Sequence, residues 1–514
     1  ASFQMEMHLS FFTLTALFLL LSFLFLLIKE IKGQKNTRDA KKLPPGPKQL
    51  PFIGNLHQMV GSLPHHKLRK LADKYGPIMQ LQLGELSTIV ISSTELAKEV
   101  LQTHSAAFAN RPQLMVAKIM LYNSLGVTFS PYGDYWRKMR HMYITELLNT
   151  KSVHSLFGIL EDEVSKLTMS IESLAGKPII LGEMILSYLN TAISRATVGR
   201  ICKDQDALIM ATREAASLAG IFNLADLFPS VKILQLVNRS KAKLEETYRK
   251  LDGILEDIIS GHEKNKIGTK ADNQNPAEED IVDILLRLKK SNDFQLPITS
   301  SNIKAIIFEL AVAGTITSLV AIEWAISELM KNPKVMEKAQ AEVRQAFKGQ
   351  KKISGVDIQK LKYLKWVIKE TLRLHPPGPL LAPRECREQC EISGYTIPIN
   401  TVTIINAGAI GRDPKYWNNP ENFEPERFSN SSIDFTGNSF ELLPFGAGKR
   451  LCPGINYAVA NIEILLANLL YHFDWKLPGG ITPEEFDMTE KFAAAVTRKD
   501  DLCLLAKSYV PSDV

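Results

Sequence analysis

A glycine-rich loop that runs straight into an apolar helix restricts this chain to few architectures. From Pro444 it reads PFGAGKRLCPGINYAVANIEILLANLL. Gly446 and Gly448 permit tight backbone turns, and Pro453-Gly454 closes the loop. The apolar pattern from Ile455 onward reads as a buried helix. Cys452 therefore stands close to a helix N-terminus, where the backbone field is expected to favour its thiolate.

A thiolate among backbone N–H groups is a good single ligand for heme iron, and Arg450, two residues earlier, suits a heme propionate. The bland alternative for a lone cysteine is a small buried hydrophobe, which is the reading for Cys202 and Cys503. At Cys452 the ordered pattern Phe445-Gly446-x-Gly448-x-Arg450-x-Cys452-x-Gly454 outweighs it. Cys202, Cys386, Cys390, Cys452 and Cys503 form no C-x-x-C pair and no even framework, which points to a reducing compartment. A net charge of +6 over 514 residues, without a basic stripe interleaved with aromatics, excludes a nucleic-acid partner.

Leu9 to Ile28 carries no charge over twenty residues, enough to cross a bilayer. A signal peptide would want a basic leading region and a small-residue cleavage site. Here the basic residues Lys29, Lys32, Lys35, Arg38, Lys41 and Lys42 follow the span instead, so the rest is expected to face the cytoplasm. The proline-rich stretch LPPGPKQLPFIGN, Leu43 to Asn55, is either a simple linker or a rigid strut. The expected layout is a tail at 1–8, a transmembrane anchor at 9–28, a basic linker and hinge at 29–51, and one catalytic domain at 52–514.

Within that domain helical spacing dominates, at Leu68 to Tyr75, Thr94 to Thr103, Lys241 to His262 and Asn332 to Phe347. Strand-like runs are few: Ile78 to Leu83, Thr88 to Ile91, and pieces within Tyr395 to Ile405. Asn265 to Glu279 reads as a polar surface loop. The fold class is mainly α with a small β component.

Three further motifs, Trp136-x-x-x-Arg140, Glu370-Thr371-Leu372-Arg373 and Pro425-Glu426-Arg427-Phe428, lie in order between the hinge and the cysteine loop. With the anchor, the LPPGP hinge and PFGxGxRxCPG, the whole chain resembles the heme-thiolate monooxygenases, the cytochromes P-450, of the plant microsomal type. That resemblance implies the cytochrome P-450 fold and a heme b (iron-protoporphyrin IX) cofactor. It makes Cys452 the iron ligand, Phe445 the shield of its sulfur, and Trp136, Arg140, Arg384 and Arg450 the holders of the propionates. Glu370, Arg373 and Arg427 become a buried structural charge triad.

The resemblance also accounts for FELAVAGTITS, Phe308 to Ser318, a glycine and a cluster of hydroxyls inside an apolar helix. It corresponds to the centre of the long helix across the distal heme face. Ala313 and Thr317 stack at i and i+4, Gly314 is expected to permit a widening of the helix, and Thr317 serves oxygen binding and proton delivery. The family pattern carries an acid before that threonine, and here Ile316 replaces it. Three readings stay open: Thr317 and water carry protons alone, the reaction depends less on the relay, or activity is weak or absent. Glu309 is too far along the helix to substitute directly.

The substrate-contacting segments implied by resemblance place Met115, Ile221, Phe222, Leu310, Leu380, Leu381, Ala494 and Val496 in the pocket. Their small or apolar side chains suit a lipophilic ligand, and the sequence is similar to oxygenases of terpenoids and terpene-derived indole alkaloids. The chain contains no nucleotide-binding glycine loop. The implied partner is an NADPH-dependent reductase in the endoplasmic reticulum membrane, with Arg137 and Lys138 as candidates for docking. A heme-thiolate oxidase that cyclises or desaturates is the second reading, and a non-catalytic heme-binding protein the third.

Overall fold

Ser300–Lys331, a 32-residue helix, is the spine of the fold. The computed structural model describes residues 42–61, 63–199, 205–218, 223–236, 239–268, 279–291, 297–350 and 352–510. The expected anchor at Leu9 to Ile28 lies outside the described residues, as do the pocket candidates Ile221 and Phe222.

The spine starts at a capping box. Asn302 N–H donates to the Thr299 hydroxyl, and the Asn302 side chain accepts the Thr299 N–H at 2.8 Å. Its most apolar stretch has a mean hydropathy of 2.1 and is 67% buried. A helix apolar on nearly every side belongs in a core. Leu181–Val198, Lys362–Leu374 and Ile455–His472 pack around it. The helix is regular α through Ala313 to Ser318, so the expected widening at Gly314 is absent. A methyl at Gly314 would meet only ordinary contacts, 3.5 Å from Ile193 and Tyr457.

One four-stranded sheet lies beside the helices. Ile78–Leu83 pairs antiparallel with Leu86–Ile91 across the two-residue turn Gly84-Glu85. Gly84 has φ +62°, and a Cβ there would stand 2.5 Å from the Leu227 carbonyl oxygen, so the turn requires glycine. Leu86–Ile91 pairs in parallel with Val402–Ile405, whose other edge is the two-residue strand Arg384–Glu385. That short strand fixes the backbone of Arg384.

The proline-rich segment is docked rather than free. Gln80 N–H donates to Pro45 O at 2.8 Å, Gln82 N–H to Asn55 Oδ1 at 2.8 Å, and Asn55 N–H to Gln82 O at 2.6 Å. This matches a strut laid against the first strand. The helix expected over Lys241 to His262 runs longer, Arg239–Gly268, so Asn265 to Gly268 are helical and not loop. The helix expected at Thr94 to Thr103 is α only to Lys98 and continues as a π turn, Glu99–Thr103.

Candidate functional site

The cysteine loop is held on both sides. Cys452 N–H donates to Phe445 O at 3.1 Å, and Lys449 N–H donates to Ser105 Oγ at 3.0 Å. Gly448 has φ +66°, and a side chain there would overlap the Leu101 carbonyl oxygen. Phe445 meets Phe435 edge-on, 5.4 Å between centroids. Cys452 keeps partial exposure, yet burial pushes its thiol up, with the Gly454 N–H and the Arg140 charge opposing. The Gly454 N–H acts in the direction expected of the loop, toward the thiolate. Burial outweighs the backbone field, and metal coordination is what would deprotonate the sulfur.

Across the core, the spine carries an exposed strip inside a buried helix. Ala313 and Thr317 are exposed although Leu310, Ala311, Thr315 and Ser318 around them are buried. Thr317 Oγ1 donates to Ala313 O at 2.6 Å. Its proton is thus engaged along the helix, and its lone pairs remain to accept from a ligand. Ile316 turns to a different side and packs with Val320, Trp324, Met488 and Ala495.

Four arginines converge without an ion pair among the described residues: Arg111, Arg140, Arg384 and Arg450. Arg450 donates to Ala109 O at 2.8 Å, Val127 O at 3.0 Å and Ser130 O at 2.6 Å, and its guanidinium lies 4.3 Å from the Trp136 ring. Trp136 Nε1 also donates to Val127 O, at 3.0 Å, while Arg140 lies 5.6 Å from the same ring. Arg384 donates one bond to Ala447 O at 3.0 Å, and its Nη1 is buried without a hydrogen-bond partner. Burial, then the neighbouring guanidinium charges, pushes Arg384 down to about 9 and Arg450 to about 8. Arginine does not give up its proton in a protein, so the cost of burial and of crowded like charges falls on charged groups, and a bound anion would relieve it.

Arg111 was not singled out from the sequence. Its neighbourhood, Phe108-Ala109-Asn110-Arg111-Pro112, carries no local signal of this role. It donates to Ala382 O at 2.6 Å, Pro383 O at 2.7 Å and Thr128 O at 2.9 Å.

An accessible cysteine, an exposed strip on a core helix and a ring of buried cations with an orphaned donor fit a flat, dianionic heme. The expected triad is also present. Arg373 grips Glu370 with two bonds, 2.7 and 2.8 Å, and Arg427 adds a third at 2.9 Å. Trp417 lies under both guanidinium groups, 5.2 and 6.0 Å away.

The described pocket candidates fall in different apolar clusters. Leu310 and Met115 belong to the main core, Leu380 to the sheet side, and Leu381 to the packing behind the cysteine loop. Ala494 is exposed, and Val496 is buried with its carbonyl accepting from Trp324 Nε1 at 2.9 Å. Arg137 and Lys138 are spent in part on Asp134, at 2.9 and 3.8 Å.

Fold and donor set together define a heme-thiolate enzyme. The family profile described as Cytochrome P450 matches residues 44–504, and the chain belongs to that family of monooxygenases. Alstonine synthase of Alstonia scholaris is 56% identical over 501 residues, covering 97% of this chain and 98% of the relative. Sarpagan bridge enzyme of Gelsemium sempervirens is 50% identical, covering 97% and 98%. Premnaspirodiene oxygenase of Hyoscyamus muticus is 49% identical, covering 98% and 99%. A solved zebra fish cytochrome P450 with progesterone shares the fold, with a TM-score of 0.74 at 22% identity, over 87% of this chain and all of that one.

Proposed function

We propose that this chain is a reductase-coupled monooxygenase of the endoplasmic reticulum membrane that inserts one oxygen atom into a terpenoid or terpene-derived indole alkaloid. The observation that carries this reading is the exposed Thr317 hydroxyl in the middle of a buried helix, with the cysteine loop intact. The names of the relatives, which include an oxygenase and enzymes called alstonine synthase and sarpagan bridge enzyme, support the substrate class.

When bound, heme ligated by a thiolate supplies the activation of dioxygen. Cys452 would be the ligand, and Arg111, Trp136, Arg140, Arg384 and Arg450 would hold the propionates, charge against charge. Ala313 leaves room on the spine, and Thr317 Oγ1 accepts a hydrogen bond there because its own proton lies on Ala313 O. A water held at that oxygen can deliver protons. Met115, Leu310, Leu380, Leu381, Ala494 and Val496, with Ile221 and Phe222, would give the substrate an apolar lining. Electrons would come from NADPH through a membrane-bound flavoprotein reductase, and the segment Leu9 to Ile28 would anchor the chain beside it.

A second reading is oxidative cyclisation or desaturation without oxygen retention. Ile316 in place of an acid favours it, as does a relative called a bridge enzyme. Turnover with reductase, NADPH and isotopically labelled dioxygen on a panel of sesquiterpenes, diterpenes and indole alkaloids separates the two. Label in the product supports the first reading. A product two hydrogens lighter and unlabelled replaces it with the second.

A further inference from the structure

Glu309 is a buried carboxylate on the spine that none of the chemistry above uses. It is 5% exposed and forms no ion pair among the described residues. A buried carboxylate without a counter-ion costs several kcal/mol unless hydrogen bonds replace its water. Three do so here. Val127 N–H donates at 2.9 Å, Thr128 N–H at 2.8 Å, and the Tyr143 hydroxyl at 2.6 Å. Gly126 lets the loop come this close, since a Cβ there would stand 2.6 Å from Glu309 Oε1.

The other side of the same loop faces the arginine cluster. Val127 O accepts from Trp136 Nε1 and from Arg450 Nη1, both at 3.0 Å. Thr128 O accepts from Arg111 Nε at 2.9 Å, and Ser130 O accepts from Arg450 Nη2 at 2.6 Å. The peptide unit joining Val127 to Thr128 is therefore polarised from both ends. Its N–H points at a carboxylate and its C=O points at a guanidinium and an indole. Each bond strengthens the other, as in any hydrogen-bonded chain in a low dielectric. Tyr143 opens the π turn Tyr143–Leu147 directly after the helix Asp134–Met142 that carries Trp136 and Arg140. One carboxylate thus holds both the loop whose carbonyls receive Arg450, Trp136 and Arg111 and the turn that follows the helix carrying Trp136 and Arg140.

We infer that Glu309 is a positioning residue for the heme-propionate cradle, acting through the Gly126–Ser130 loop on Arg450, Trp136 and Arg111. The inference rests on the assignment of those three residues to the propionates. Glu309 does not touch the reacting centre in this scheme. Its negative charge also offsets the crowding of cations on Arg450.

The test uses purified heme-loaded enzyme. Heme loss to excess apomyoglobin and the ferric/ferrous reduction potential are compared for wild type, Glu309→Gln, Tyr143→Phe and Arg450→Leu. Gln offers one acceptor oxygen for two backbone donors, so one N–H is left facing an amide. Glu309→Gln should lose heme about tenfold faster or more, the effect of one charged hydrogen bond, with a more positive potential. Tyr143→Phe keeps both backbone bonds, so its change should be smaller and in the same direction, and it decides the matter if Glu309→Gln fails to fold. Wild-type heme loss and potential in Glu309→Gln, with only lower heat stability, would reduce Glu309 to a core brace and overturn the inference. If Arg450→Leu also retains heme like wild type, the propionate assignment itself falls.

Discussion

Thr317 Oγ1 donates to Ala313 O at 2.6 Å, four residues back on the same helix, and both residues are exposed within a core element. A hydroxyl that bonds back along a buried helix is ordinarily a packing device. Here the residue is exposed, so its oxygen can accept from a ligand while its proton stays on the helix. Both descriptions of Thr317 hold at once: it is bonded to i−4 and available.

Thr317→Ala should leave the reduced carbon monoxide spectrum intact and lower the yield of product per NADPH, with turnover falling by up to about 10²-fold. Thr317→Ser should retain most activity. NADPH consumption and product, measured side by side, check this. Equal coupling in wild type and Thr317→Ala would remove the hydroxyl from proton delivery.

Ile316→Asp puts a carboxyl where Val320, Trp324, Met488 and Ala495 now pack. Burying it should cost about 1–3 kcal/mol of stability, read as a lower Tm. Coupling should rise if the missing acid limits turnover. Unchanged coupling would show that water at Thr317 already suffices.

Glu370→Gln strands Arg373 and Arg427, whose guanidinium groups meet on that one carboxylate. Removing one partner of a buried ion group costs about 3–5 kcal/mol. The variant should accumulate with little bound heme, and thermal unfolding of the small loaded fraction should shift down. Wild-type loading would contradict the structural role of the triad.

Glu463 gives a pH signature. Burial pushes its carboxyl up to about 7, against a weak 3.4 Å bond from Gln359 and the charge of Lys365. Between pH 4.5 and 7 the unfolded chain has lost this proton and the folded chain keeps it, so stability falls as pH rises through that window. Above it the cost is constant, at most about 3 kcal/mol. Glu463→Gln should therefore match wild type at pH 4.5 and exceed it at pH 8 in chemical denaturation. A constant difference between the two pH values would contradict this.

The sequence was legible where a pattern was local. The strand Ile78–Leu83 read directly, because alternation is visible in a short window, whereas the triad of Glu370, Arg373 and Arg427 was legible only through the family resemblance, since Arg427 lies far along the chain from Glu370. Arg111 and Glu309 were not legible as site residues, since their partners are carbonyls and amides distant along the chain, such as Ala382 O and Val127 N. The widening expected at Gly314 is absent because glycine only permits a distortion, and Thr317 bonds back to Ala313 O along a regular helix.

The measurement that bears most directly on the whole account is the reduced carbon monoxide difference spectrum of wild type and Cys452→Ser. The wild-type protein should show the thiolate-type band, and the serine variant should lose it even where heme remains bound. An unchanged thiolate-type band in Cys452→Ser would contradict the assignment of Cys452 as the iron ligand, and with it the oxygen chemistry placed over Thr317.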